Sequence, residues 1–279
     1  MKRINKPLFA VLLIYILCFI LRFIEYFIIR TDQTFWGEAF LHKLLGIVIL
    51  FIVAKLYNFK AQDIGFNKER AVKYTLMGLL FGICIYILAY SIEIAIAVSD
   101  KNFRSLQLYV STYSVDKNIG NQTSTLFFVI CIIGNIINVV MEEGIFRGLF
   151  PKMLEKKYAF FVSALITSGL FGLWHFIGPL RNYFDGRNSI EGMYANIIML
   201  VIASGFIGLK FALLTKLTGS IYMSMGDHFV NNAIINILHV ISFTGGDELM
   251  FVRIAIAQSV SFIIILLVYL HKKKFQRNK

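Results

Sequence analysis

Eight apolar runs separated by short polar segments constrain this chain more than any other feature. They cover approximately 8–29, 40–57, 74–98, 125–147, 158–178, 193–216, 219–242 and 249–270. A membrane-crossing helix needs ~20 mostly apolar residues. In lipid the backbone must satisfy its own polar groups, which an α-helix does within one segment. The expected fold is therefore all-α: a polytopic integral membrane helical bundle with about eight transmembrane helices. His42 and Lys43 blur the start of the second run, which is the shortest. Composition agrees. Of 279 residues, 58% are hydrophobic and 16% charged, and the mean hydropathy of +0.71 lies outside the range of soluble domains. Three prolines and few polar stretches leave no linker, so residues 1–279 read as a single membrane domain. The first run is too long for a signal-peptide core and is expected to be retained.

An even number of spans puts both termini on one side, and the basic residues indicate which. Inner segments would hold Lys2, Arg3 and Lys6, then Lys55, Lys60, Lys68, Arg70 and Lys73, then Lys152, Lys156 and Lys157, then Lys216, and finally Lys272-Lys273-Lys274. The outer loops offset Arg30, Lys101, Arg104, Lys117, Arg181 and Arg187 with Asp32, Glu38, Asp100, Asp116, Asp185, Glu191, Asp247 and Glu248. By the positive-inside rule both termini are expected in the cytoplasm, with the protein in the cell membrane. The net charge of +12 thus serves topology, and no nucleic-acid partner is expected. Cys18, Cys84 and Cys131 fall inside apolar runs and read as packing. Residues 99–124 form the longest connection, and its mixture of Phe103, Leu106, Tyr109 and Tyr113 with charges suggests that part of it lies along the interface.

Ionisable groups inside spans are costly and mark function by default. The fourth run ends with Asn135, Asn138, Glu142, Glu143 and Arg147. At ~100° per residue, Asn135, Asn138 and Glu142 share one stripe, while Glu143 and Arg147, four apart, share another. Glu143 is expected to pair with Arg147, leaving Glu142 unpaired and available as a general base. The competing reading is a helix end whose charges snorkel to the interface. Arg147 fits that reading, but consecutive glutamates followed by Gly148-Leu149-Phe150 fit it poorly. On the fifth run, His175 sits beside Trp174, with Ser168 on its face; taken alone, such a histidine near a helix end reads as interfacial. On the seventh, Ser224, His228, Asn232 and His239 lie close to one stripe, which must face the bundle interior or a watery cavity. An interhelical hydrogen-bond seam is one reading of that stripe. A His and an Asn one turn apart, donating to a developing oxyanion, is the other.

Glu142, His175 and His228 could instead ligate zinc, since three protein ligands and a water form a standard catalytic set. No His-Glu-x-x-His is present, so no metal ligand is assigned and no cofactor is expected; zinc is the weaker alternative.

Three motifs stand in order on separate spans: Glu142-Glu143-x-x-x-Arg147, Phe171-x-x-x-His175 and His228-x-x-x-Asn232. Together they resemble the CPBP family (CAAX proteases and bacteriocin-processing proteins, also called Abi), over about 125–242. The resemblance implies an intramembrane endopeptidase acting on a short or membrane-associated peptide or a membrane protein. It implies that Glu142, assisted by His175, activates water, that His228 and Asn232 stabilise the oxyanion, and that Glu143 and Arg147 orient the site. The family has been described both as zinc metalloproteases and as metal-independent glutamate proteases. The second suits this chain better, because Asn is an uncommon zinc ligand and a good donor. For bacterial members the resemblance implies roles in bacteriocin self-immunity, peptide-pheromone processing and the envelope. The richness in Ile, Lys, Asn and Phe resembles an AT-rich bacterial genome, under which prenylated CAAX substrates are not expected.

Two other classes share these parts. A non-proteolytic immunity or scaffold protein of the same fold would bind a peptide without cutting it, and intact Glu142, His175 and His228 argue against it. A proton-coupled carrier would use buried Glu and His as a relay, but no repeated half with paired broken helices is visible. One tension stands. Counted along the runs, His175 falls nearer the outer face than Glu142 and His228, so either the fifth helix begins deeper or residues 151–158 re-enter.

Overall fold

The computed structural model describes residues 6–34, 36–111 and 120–277. Lys2, Arg3, Tyr113, Asp116 and Lys117, used in the reading above, lie outside them. Helix α1 (Pro7–Ile24) opens on a proline, whose missing N–H has no helical partner there anyway, and continues through a π turn, Glu25–Ile29. Helices α2 (Leu41–Leu56) and α3 (Lys68–Ser99) follow, and the Asn67 side chain caps α3 by accepting the Glu69 N–H at 3.1 Å. Strand β1 (Phe103–Leu108) precedes α4 (Thr125–Glu143). Helix α4 runs through a π stretch, Gly144–Leu149, into α5 (Phe150–Leu154). Next come α6 (Phe160–Trp174), α7 (Ile177–Phe184), α8 (Ile190–Thr218), α9 (Tyr222–Ile237), strand β2 (Leu238–Ser242) and α10 (Met250–Arg277).

This is the expected all-α polytopic bundle. Among the described residues, six stretches are long and apolar enough to cross a membrane: Pro7–Gln33, Ala61–Ser99, Thr125–Leu154, Phe160–Phe184, Ile190–Thr218 and Met250–Phe275. The second and seventh expected spans are α2 and α9, shorter helices of 16 residues each. Large aliphatic side chains such as Leu80, Ile87, Ile202 and Leu267 point outward, as lipid-facing residues do. The interior is packed by Leu50, Met141, Phe146, Phe150, Phe171 and Trp174.

Two close approaches position the polar residues. A Cβ at Gly78 would lie 2.2 Å from the Met223 carbonyl oxygen, so only glycine lets α3 meet α9 this closely. A Cβ at Gly172 would lie 2.4 Å from the Val201 carbonyl oxygen, which does the same for α6 against α8. The helices that carry His228 and His175 are thereby seated by backbone-to-backbone contact.

Several expected boundaries move. The seventh run is not helical to 242: α9 stops at Ile237, and β2 pairs antiparallel with β1 from Leu108↔Leu238 to Phe103↔Ser242. Part of the 99–124 connection, expected along the interface, is that partner strand. His42 and Lys43, read as interruptions, turn inward and pair with Glu25 and Glu38, each at 2.5 Å. The depth tension also resolves. Neither a deeper fifth helix nor a re-entrant 151–158 is needed, because the helix bearing Glu142 runs on to Leu154 rather than ending at 147. Glu142 lies twelve residues before Leu154, ~18 Å, and His175 fifteen after Phe160, ~22 Å.

Candidate active site

The polar groups of α4, α6 and α9 converge in the apolar interior. Glu142, 3% exposed, projects from α4. Its Oε1 accepts the Trp174 indole N–H at 3.0 Å, and its Oε2 accepts from Asn138 Nδ2 at 3.2 Å. Asn138 lies one turn earlier, so the predicted stripe operates as a hydrogen bond. Asn135 does not join it: its Nδ2 donates back to the Cys131 carbonyl at 2.9 Å. The expectation of an unpaired Glu142 is corrected here. The carboxylate is held by two donors from two helices, because a bare buried charge is far costlier than a hydrogen-bonded one.

Glu143 faces the other way, as its offset predicts. Its Oε1 lies 3.5 Å from Arg147 Nη1, one turn along, and 2.9 Å from His228 Nδ1. The Arg147 guanidinium lies over the Phe171 ring, 3.9 Å from its centroid. His228 is therefore flanked by both carboxylates, its Nε2 being 3.6 Å from Glu142 Oε2. Phe211 stacks on its ring at 4.8 Å. A carboxylate beside an arginine only accepts, so the Nδ1 of His228 carries a proton and Nε2 is the nitrogen presented to Glu142.

His175 caps the end of α6, half-buried, its Nδ1 2.8 Å from the Phe171 carbonyl oxygen. A carbonyl only accepts, so Nδ1 donates and Nε2 is left with a lone pair in the neutral ring. His175, His228, Arg22 and Lys43 all lie in the surroundings of the Glu142 carboxylate. Asn232 follows His228 by one turn, and its Oδ1 accepts from Asn231 Nδ2 at 2.9 Å. Ser168 is buried close to Gly208 rather than joined to His175 by a described hydrogen bond.

Two features escape a sequence reading and one leaves the site. Arg22 on α1 reaches to 3.9 Å from Glu142 Oε1 and lies 4.5 Å over the Trp174 ring. A lone arginine in the first apolar run was the available signal. Trp174, whose place beside His175 made that histidine read as interfacial, is 1% exposed and points inward. His239, placed on the α9 stripe, belongs to β2, where it stacks on Tyr109 at 3.9 Å and bonds Asp247 at 3.1 Å. Zinc needs at least three converging ligands, and among the described residues no three His, Cys, Asp or Glu groups are arranged to hold a metal.

Residues 124–234 match a protein-family model, Rce1-like, described as type II CAAX prenyl endopeptidase Rce1-like. The matched segment runs from the N-cap of α4 into α9 and contains Glu142, Glu143, Arg147, His175, His228 and Asn232. The resemblance to the CAAX-protease family is borne out over this region. No curated protein matches the chain.

Proposed function

We propose, from the match of residues 124–234 to the CAAX endopeptidase family, that this protein is an intramembrane endopeptidase whose core is 125–242. The observation that carries the reading is His228 held between Glu142 and Glu143, at 3.6 and 2.9 Å, with Trp174, the residue before His175, donating to the Glu142 carboxylate. Glu142, assisted by Nε2 of His175, takes one proton from an attacking water and returns it to the amine that leaves as the peptide C–N bond breaks. As the tetrahedral oxyanion forms, His228 Nε2 and Asn232 Nδ2 donate to it. For Nε2 to donate, the ring carries both protons, its charge balanced by the flanking carboxylates. Glu143 and Arg147 fix the orientation of His228. The donor set favours a glutamate-based reaction over a zinc-based one.

The substrate is a short or membrane-tethered peptide, or a membrane protein, reaching the site from the bilayer. The distribution of lysines supports a cytoplasmic location for both termini, and the richness in Ile, Lys, Asn and Phe supports a bacterial cell. The test is cleavage of a quenched peptide library, spiked with farnesylated CAAX peptides, by purified protein in detergent. Wild type is compared with Glu142→Gln, each with and without a strong chelator. Loss in Glu142→Gln with retention under chelator supports the reading. Loss under chelator restores zinc, and no cleavage by wild type favours a binding or immunity role.

A further inference from the structure

We propose that a one-directional hydrogen-bond relay, Lys210 to Gln258 to Asn231 to Asn232, sets which end of the Asn232 amide faces the site. The inference rests on Asn232 acting as an oxyanion donor. An asparagine can serve an oxyanion only if its NH2, and not its carbonyl, is the free end, and the two ends are nearly isosteric. Something must break that degeneracy, and the interior of α8, α9 and α10 supplies it.

The relay starts at a group that can only donate. The Lys210 ammonium, 1% exposed, donates to Gln258 Oε1 at 2.8 Å and to Ser261 Oγ at 3.2 Å, and forms an ion pair with Asp227 Oδ2 at 2.7 Å. The Ser261 hydroxyl sends its own proton to the Gln258 backbone carbonyl at 3.1 Å, so its oxygen is free to accept. Gln258 must turn its carbonyl to Lys210, and its Nε2 therefore donates to Asn231 Oδ1 at 2.6 Å. Tyr86, from α3, donates to the same oxygen. With Oδ1 doubly occupied, Asn231 presents Nδ2, which donates to Asn232 Oδ1 at 2.9 Å. The Asn232 NH2 is then the end left over, one turn from His228 on the same helix. Each amide has one orientation compatible with the one before it, so Lys210 and Gln258 are positioning residues that never touch the substrate.

Two near-isosteric variants reverse the relay without removing volume. In Gln258→Glu the side chain only accepts, so Asn231 turns its NH2 to it and its oxygen to Asn232. In Asn231→Asp, the second carboxylate oxygen faces Asn232 directly. Either way Asn232 must donate backwards and offer its carbonyl to the site. Steady-state kinetics on the library peptide that wild type cleaves fastest should show kcat falling by about 10²-fold, the worth of one oxyanion donor, with KM little changed. The thermal unfolding midpoint identifies any variant that fails to fold, and the other variant then carries the test. In an Asn232→Ala background neither variant should lower kcat further. A kcat that stays at the wild-type level in both variants, or an equal loss in the Asn232→Ala background, overturns the relay. Wild-type kcat in Asn232→Ala itself overturns the oxyanion reading on which it rests.

Discussion

The indole N–H of Trp174 donates to Glu142 Oε1 at 3.0 Å, tying the end of α6 to the middle of the Thr125–Leu154 helix. This bond holds the carboxylate through the residue adjacent to His175. Trp174→Phe keeps an aromatic ring in the cluster with Tyr15, Phe19 and Phe146 but removes the donor. A hydrogen bond to a charged group is worth about 1.5–3 kcal/mol, so kcat should fall about 10- to 100-fold. Steady-state peptide cleavage checks this, and an unchanged kcat would show that Asn138 alone suffices to hold Glu142.

Glu143 holds the Nδ1 side of His228 while Arg147 holds Glu143. In Glu143→Gln the amide can offer either its carbonyl or its NH2 to Nδ1, and one of the two charges that balance the doubly protonated ring is lost, so His228 no longer holds a proton on both nitrogens. A carboxylate behind a catalytic histidine is worth up to about 10⁴-fold in kcat, and Glu143→Gln should approach that loss with substrate binding retained. Glu143→Asp, a shorter acceptor, should recover part of it. Equal losses in both variants would point to a packing defect, and far-ultraviolet circular dichroism would show it.

How much of this was legible beforehand follows from the range of each contact. Periodicity fixes directions within one helix, so the Glu143–Arg147 pair, the Asn138–Glu142 bond and the divergence of the two glutamates could be read from spacing alone. Periodicity says nothing about which helix packs next. Arg22 reaching Glu142, and Lys210 reaching Asp227 and Gln258, are therefore invisible until helices are placed. The π stretch Gly144–Leu149 hid the continuation of the helix to Leu154, which created the apparent depth mismatch. β2 was missed because Leu238-His239-Val240-Ile241-Ser242 is a short apolar run, equally readable as helix or strand.

Arg22 and Trp174 form a second tie on the same carboxylate. The guanidinium lies 4.5 Å from the indole centroid and 3.9 Å from Glu142 Oε1. A desolvated cation–π contact contributes about 0.5–2 kcal/mol. Arg22→Met, Trp174→Leu and the double variant form a cycle whose coupling energy in unfolding stability should fall in that range. Additive losses would mean that the stacking carries no energy of its own and that Arg22 serves only the charge of Glu142.

Away from the site, Asp247 precedes α10 and joins Arg253 to His239. Arg253 Nη2 donates to Asp247 Oδ2 at 2.7 Å, His239 Nδ1 lies 3.1 Å from the same oxygen, and Glu93 from α3 takes Arg253 Nη1 at 2.7 Å. Burial pushes the Asp247 carboxyl up, but hydrogen bonds and charge from His239 and Arg253 outweigh it and hold the group below the ordinary aspartate value of 3.8. A depressed carboxyl stabilises the fold fully above its unfolded pKa and loses that contribution as pH falls through the folded one. The thermal midpoint of wild type should therefore drop between about pH 5 and pH 3 more steeply than that of Asp247→Asn, which has no proton to take up there. Differential scanning fluorimetry across that range measures both slopes. Parallel slopes would mean that the carboxyl at 247 titrates alike in the folded and unfolded chain.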